Sequence, residues 1–507
     1  MLVRLLHSLH QPSVLIHLVH QMRLMSSVAN RSLVTDEQPS FPHFTFSEEP
    51  LGLPASEGFG YFQGSPGLSF GPANRFYLQA KLGFGTASSV WLARDCIDDT
   101  HVAIKILTGY ATQLNRDHKL RELEVFQRLS SVPSESSSDQ CARLLAQFVH
   151  PGIDEDGEHL CLVTELFWCN VQDYQAALRG RSIPVPTVKR ILRHLVLGIA
   201  RLHECGIAHT DIKPDNIMID LGRHWTSDAI NNWVTENPPR TYPPERSLNK
   251  MVSAFLSQSF PPPTFEELPS CNFKLADFST AQFVSDQTTD DITPLGLRPP
   301  EVVLGGDWNE SVDIWTFGCM VFTLLTNRPL FKPMVSVEHD ASELDVLLYQ
   351  MILFCGEFFQ EDFLRRCPRS QDYFQLDCRP KKFQSFVRKP FDKCLSDSGC
   401  TLSPVDMAGA TDVMSKCLRL DPQNRATAQE LLRHPWLMVA PRTLHHLPPI
   451  PRRWATEFLV LVPPQGLCSA DVHKPIGRRA RGDVSQPSCA DTLDSTAAAA
   501  AAAIEIV

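Results

Sequence analysis

Between Ile207 and Ile219 the chain places Asp211, Lys213 and Asn216 within a six-residue stretch of one loop. An aspartate there can take a proton from a hydroxyl, a lysine can neutralise a phosphoryl group in transfer, and an asparagine carbonyl can hold Mg²⁺. Farther on, Asp277 follows an apolar strand pattern in Lys274-Leu275-Ala276-Asp277-Phe278-Ser279, and its hard carboxylate oxygens suit the same ion. Lys105 ends the otherwise apolar run Val102-Ala103-Ile104-Lys105. A buried ammonium is costly unless it is paired, so a partner must exist. Helical spacing nominates Glu122, which shares a face with Phe126 and Leu129, whereas Glu124 points elsewhere. Upstream, Leu82-Gly83-Phe84-Gly85-Thr86-Ala87-Ser88-Ser89-Val90 lies between two strand patterns. Its glycines let backbone amides approach phosphate oxygens closely, although a glycine hairpin by itself is commonplace.

These residues need elements to position them. Strand-like alternation runs from about Phe76 to Val90 and returns in His101-Val102-Ala103-Ile104-Lys105-Ile106-Leu107, an antiparallel arrangement. From Pro184 onward, Val188, Ile191, Leu192, Leu195, Val196, Ile199 and Leu202 recur at three- and four-residue steps, giving a helix with one apolar face and Thr187 near its start. Strands first and helices afterwards predict an α+β fold, with a small sheet-rich lobe joined to a larger helical one.

The whole chain has 507 residues, with 47 Lys plus Arg against 57 Asp plus Glu, a formal charge of −10. That balance argues against direct nucleic-acid binding and favours attraction of a cationic substrate. Fifteen cysteines without a Cys-x-x-Cys pair disfavour a zinc module or a disulfide framework, and most read as small buried residues in a reducing compartment. No apolar stretch approaches the roughly 20 residues of a membrane span. Residues 1–40 read as a targeting or disordered segment: the first 35 contain no acid but include Arg4, Arg23 and Arg31, the composition of a mitochondrial transit peptide. Residues 441–507, with proline-rich text, the basic cluster at Arg478, Arg479 and Arg481, and an alanine run, read as a disordered tail.

Taken together, the segments from about Phe76 to Leu437 resemble the eukaryotic protein kinases. Leu82–Val90, HTDIKPDN, LRPPEVVLG and DIWTFGCMVFTLLTNRPLF are similar in particular to SR-protein kinases of the CMGC group, with a fungal look. The resemblance implies a bilobal kinase fold, with an N-lobe at about 76–165, a C-lobe at about 168–437 and an insertion at about 221–271. It implies ATP and Mg²⁺ as cofactors. Lys105 would bind the α and β phosphates and pair with Glu122, Asp211 would be the catalytic base, and Lys213 would steady the transferring phosphate. Asn216 and Asp277 would hold metal. Adenine would sit at the hinge of Glu165, Leu166 and Phe167, with Thr164 as gatekeeper and Val90 and Ala103 above the ring. Glu301 would pair with Arg425, Asp313 would brace the catalytic loop, and Arg298 would shape the substrate-binding loop. The long stretch 332–410 would correspond to the CMGC insert.

Three departures bear on regulation. Thr210 stands where many kinases have an arginine that clamps a phosphorylated activation loop, so activity without that phosphorylation is expected. Ser88 replaces a loop glycine but keeps its amide, and Ser279 replaces the glycine after Phe278, losing a hinge rather than a ligand. The resemblance also implies a basic, Arg-Ser-rich protein substrate docked by acidic groups, for which Glu338, Asp340, Glu343 and Asp345 are candidates, and hence a role in mRNA processing. A solvated acidic helix start explains those four equally well. The expected protein is a monomeric Ser/Thr kinase of cytoplasm and nucleus. The alternatives are a pseudokinase scaffold, or a CMGC kinase with proline-directed or mitochondrial substrates.

Overall fold

The computed structural model describes residues 44–438, apart from 134–139, 179, 181, 223–224 and 249. Both the acid-free N-terminal stretch and the tail beyond 441 lie outside the described residues. The first lobe is built on a six-stranded sheet of β1 (Ser69–Phe70), β2 (Phe76–Gly85), β3 (Ser88–Asp95), β4 (Thr100–Leu107), β5 (Leu144–Pro151) and β6 (Glu158–Thr164), in the order β1-β2-β3-β4-β6-β5. All its pairings are antiparallel. The alternation of β3 and β4 gives the sheet an apolar face where Trp91, Val102, Ile104 and Val163 pack with Phe70 and Phe76. Two helices follow β4. Helix α1 (Gly109–Arg116) is capped by the Thr108 hydroxyl, and α2 (Glu122–Ser131) buries Val125, Phe126 and Leu129.

The helical lobe is organised by α4 (Val185–Glu204), which follows the short α3 (Val171–Ala177). All seven periodic residues from Val188 to Leu202 are buried on one face of α4. Pro184 occupies the N-cap, and Pro186 and Thr187 lie in the first turn, close to where the sequence pattern placed the start. Short strands then assemble the chemistry. β7 (Phe167–Asn170), β9 (Ile217–Asp220) and β12 (Phe273–Leu275) form one sheet with β9 in the middle, while β8 (Ile207–Ala208) pairs with β13 (Gln282–Phe283).

The 52 residues between Asp220 and Phe273 carry α5 (Ser227–Glu236) and the hairpin of β10 (Glu245–Ser247) and β11 (Lys250–Val252). This insertion does not stay with the helical lobe. His101 of β4 bonds Asn231 of α5 at 3.2 Å, and the Gln258 amide donates to the Lys81 carbonyl of β2 at 2.9 Å. The chain before Phe76 is also folded, further than the sequence reading of the N-lobe allowed. Phe46, Leu51, Leu53, Phe59 and Tyr61 close into a small core with Val252 and Ala254 of the insertion.

Downstream, the buried helix Ser311–Thr326 follows the short helix Pro300–Val303 and packs against Pro404–Cys417 and α4. Most of the described cysteines are buried. Among the described residues no helix is long and apolar enough to cross a membrane.

Candidate active site

Lys105 lies near the end of β4, and its alternation with Ile104 and Ile106 turns it to the face away from Trp91. There its ammonium meets Glu122 Oε1 at 2.7 Å and Asp277 Oδ1 at 2.8 Å. Glu122, in the first turn of α2, is almost fully buried, whereas Glu124 turns outward to His118. Burial works against the charge on Lys105, but the Asp277 and Glu122 carboxylates overcome it and raise its pKa. Burial likewise opposes ionisation of Asp277, yet the Lys105 ammonium holds that carboxyl well below the usual range. For Glu122 burial prevails and its pKa is raised.

Asp277 follows β12 by two residues and adopts a left-handed backbone, φ +61°, costly for a side chain with a Cβ. Its neighbours hold it there. The Ala276 amide donates to the Asn216 carbonyl at 2.9 Å, and Phe278 is fully buried edge-on against Phe126 of α2 and His209 of the catalytic loop. Thus α2, the Asp277 loop and the catalytic loop share one aromatic contact.

The catalytic loop is fixed from both sides. Asp313, buried in the first turn of Ser311–Thr326, accepts from the amides of His209 at 2.8 Å and Thr210 at 2.9 Å. Thr210 holds φ +66° and its hydroxyl donates to the Thr280 carbonyl, so this side chain ties the loop to the segment after Phe278. His209 Nδ1 accepts from the Asp211 amide, leaving Nε2 to donate to the Ala276 carbonyl at 3.1 Å. Asp211 receives Lys213 Nζ at 2.7 Å and Asn216 Nδ2 at 3.0 Å. Burial pushes the Asp211 pKa up, and the Lys213 ammonium opposes it. Burial lowers that of Lys213, but its carboxylate neighbours prevail and raise it.

The glycine loop is the β2–β3 turn: Gly83 faces Val90, Phe84 faces Ser89, and Gly85 faces Ser88, with Thr86 and Ala87 at the tip. Gly85, Thr86, Ala87 and Ser88 line one cavity of about 130 Å³ together with Lys105, Glu122 and Asp277. Ser89 is spent elsewhere, since its buried hydroxyl accepts from the Trp91 indole. Phe84 is exposed. Leu82 and Val90 pack partly buried on the main core, where Ala103 is buried. At the far edge Ala103 pairs with Thr164. Glu165 turns its carboxylate to Lys274 and the Arg143 amide, leaving only backbone to face a base, and Phe167 begins β7.

This donor set fits Mg²⁺. Asn216 gives its amide nitrogen to Asp211, leaving a carbonyl oxygen, and Asp277, whose side chain is partly exposed, bonds Lys105 through Oδ1, leaving Oδ2. Among the described residues no three His, Cys, Asp or Glu side chains converge as a metal cage. Mg²⁺ commonly takes one or two side-chain oxygens from protein and its other ligands from phosphates and water, and the oxygens of Asn216 and Asp277 suit that mode.

A kinase must place a lysine–glutamate pair and two aspartates near one cleft, and this chain brings Lys105, Glu122 and Asp277 together, with Asp211 on the neighbouring loop and Phe278 packed inward. The family model described as "Protein kinase domain" matches residues 76–230 and 262–437, more than half of the chain. The chain belongs to the protein kinase family. It is 28% identical over 394 residues to the serine/threonine-protein kinase SRPK of Physarum polycephalum, covering 73% of this chain and 87% of that one. It is 30% identical over 368 residues to a serine/threonine protein kinase of Aspergillus fumigatus, covering 72% and 85%. The dual specificity protein kinase lkh1 of Schizosaccharomyces pombe is 27% identical over 387 residues, or 74% of this kinase and 48% of lkh1. The kinase is therefore a Ser/Thr protein kinase of SRPK-like, CMGC type, which uses ATP.

The fold also carries the kinase's remaining marks. Arg425 meets Glu301 through two 2.6 Å bonds, both side chains buried, and Arg298 reaches Asp291 at 2.8 Å and the Thr293 carbonyl. Two carboxylates near the catalytic loop were passed over in the sequence. Asp173 in the first turn of α3 and Asp215 in the catalytic loop are exposed and close enough that Asp215, after burial, helps raise the Asp173 pKa. Only the packing of α3 on the turn at Pro214–Asn216 brings them together, so no linear motif marks the pair.

Proposed function

We propose that this kinase transfers the γ-phosphate of ATP, with Mg²⁺, to serines in Arg-Ser-rich protein segments. Asp211 accepts the serine proton, Lys213 and Lys105 neutralise the phosphates, and Asn216 and Asp277 hold the metal. The observation that carries the substrate class is the exposed pair Asp173 and Asp215 beside the catalytic loop, in a chain of net charge −10. A guanidinium next to the reacting serine finds two carboxylates there, a bidentate partner. The relative named SRPK supports the same class.

The four more distant acids divide. Asp345 is used in the capping box with Ser342, and Asp340 pairs with Lys382 at 2.7 Å. Glu338 and Glu343 are exposed and remain for docking. With this substrate go a role in mRNA processing and a location in cytoplasm and nucleus.

The test is phosphate transfer to an Arg-Ser repeat peptide beside Lys-Ser and Ser-Pro peptides, with Asp277→Asn as the blank. Selective labelling of Arg-Ser supports the reading, and preference for Ser-Pro overturns it. Asp173→Asn with Asp215→Asn is expected to raise KM for the Arg-Ser peptide roughly tenfold, the loss of about one charged hydrogen bond. An unchanged KM would remove the pair from the recognition site.

A further inference from the structure

Tyr61 lies outside the residues matched by the kinase family model, yet it reaches the tip of the phosphate-binding loop. Its hydroxyl lies 2.8 Å from the Gly85 carbonyl and 2.7 Å from the Thr86 carbonyl, so it donates one proton shared between two consecutive peptides. In a trans peptide the carbonyl and the following N–H point in opposite directions. Two carbonyls held toward Tyr61 therefore turn the amides of Thr86 and Ala87 away from it. Those residues line the same cavity as Lys105 and Asp277.

The tyrosine is itself fixed. Its ring is 1% exposed, packed in the small core with Phe46, Leu51, Leu53 and Val252. The backbone before it is stitched to the start of α1, through Gly109 to the Gly60 carbonyl at 2.8 Å and Tyr110 to the Phe59 carbonyl at 3.2 Å. Gly60 has φ +82°, and a Cβ there would come within 2.3 Å of the Asp156 carbonyl oxygen, so only glycine allows this approach.

The same outer layer holds the base of the loop. Lys81 of β2 is buried against Glu48 and Glu49, donates to the Phe255 carbonyl at 3.2 Å, and sits over the Phe84 ring at 5.0 Å. Glu48 also receives the Ser257 amide and hydroxyl. The N-terminal segment and residues 231–261 of the insertion, both outside the family model's match, thus meet at the phosphate-binding loop from behind.

We propose that Tyr61 is a positioning residue for the reaction: its hydroxyl holds the Gly85 and Thr86 carbonyls so that the loop-tip amides stand ready for the nucleotide phosphates. This goes beyond the Arg-Ser reading and does not depend on it. A loop with two glycines is otherwise free to rotate these peptides, and ordering them on binding would lower affinity.

The test uses the full chain and Tyr61→Phe, which keeps the ring and removes only the hydroxyl. Binding of Mg·ADP and of adenosine is measured by calorimetry, and amide hydrogen exchange across 82–90 is followed without nucleotide. The expected result is roughly three- to tenfold weaker ADP binding, the size of one neutral hydrogen bond, with adenosine binding unchanged and faster exchange at Thr86 and Ala87. Unchanged ADP affinity, or equal weakening of ADP and adenosine, overturns the proposal, because the first leaves the hydroxyl without a role and the second reports a general loosening of the lobe. No peptide enters this assay, so its failure is distinct from failure of the substrate assignment.

Discussion

Lys81 and Lys105 lie in the same sheet, on β2 and β4, and each ammonium faces two carboxylates. Lys105 meets Glu122 and Asp277 at the cleft, with 19% of its side chain exposed. Lys81 meets Glu48 and Glu49 under the outer layer, with 1% exposed. Burial of a charge on a strand therefore demands partners in both places, but only access decides what the charge can do. Lys105 reaches the cavity shared with the glycine loop, so it can hold a ligand there; the Lys81 ammonium is taken up by Glu48, Glu49 and the Phe255 carbonyl, away from that cavity.

Substitution at the cleft should separate activity from fold most sharply. Lys105→Met or Asp277→Asn is expected to reduce phosphate transfer by about 10³-fold or more, since each removes charge aimed at the transferring group. The fold survives in Lys105→Met because Glu122, whose pKa burial already raises, takes up a proton instead of remaining charged. Radiolabel transfer and a thermal melt on the same sample check both halves. Normal activity in either variant would dissolve the distinction between the two lysines.

The converse substitution comes next in size. Lys81→Met leaves Glu48 and Glu49 buried without their cation, and the expected loss is about 3–5 kcal/mol of stability in a urea titration. Adding Glu48→Gln and Glu49→Gln should recover part of that loss. If Lys81→Met instead unfolded no earlier than the parent while losing transfer as completely as Lys105→Met, Lys81 would belong with the chemistry.

The comparison also shows what the sequence can convey. Lys105 was legible because its strand is apolar on both sides and Glu122 falls at helical spacing with Phe126 and Leu129, so a charge and its partner could be named from local pattern alone. The apolar face of α4 was legible for the same reason. Lys81 stands just before the glycines, where a lysine reads as exposed, and its partners come from 32 residues before and 174 residues after it. Tyr61, Glu48 and Phe255 carry no periodicity that points at β2, and Asp173 meets Asp215 only through helix packing. Contacts set by tertiary closure leave no local trace, so the whole outer layer on the small lobe had to be seen.

The smallest effect is a displacement along the pH axis, and it tests whether Asp211 shares the rule that governs the lysines. Burial raises the Asp211 pKa above the ordinary 3.8, with Lys213 opposing. As proton acceptor Asp211 must be ionised, so kcat/KM is expected to fall as pH drops through that raised value, placing the acid limb above 3.8. Lys213→Met removes the opposing ammonium and should move the limb to still higher pH, whatever the height of the remaining rate. Stability carries the opposite sign. A carboxyl whose folded pKa is raised contributes stability that is fully present below its unfolded pKa and lost as pH rises through the folded one. Asp211→Asn should therefore melt no lower than the parent at neutral pH while losing transfer. A limb that stays in place or moves to lower pH in Lys213→Met would show that the group setting it is not Asp211, and the cleft would then need another proton acceptor.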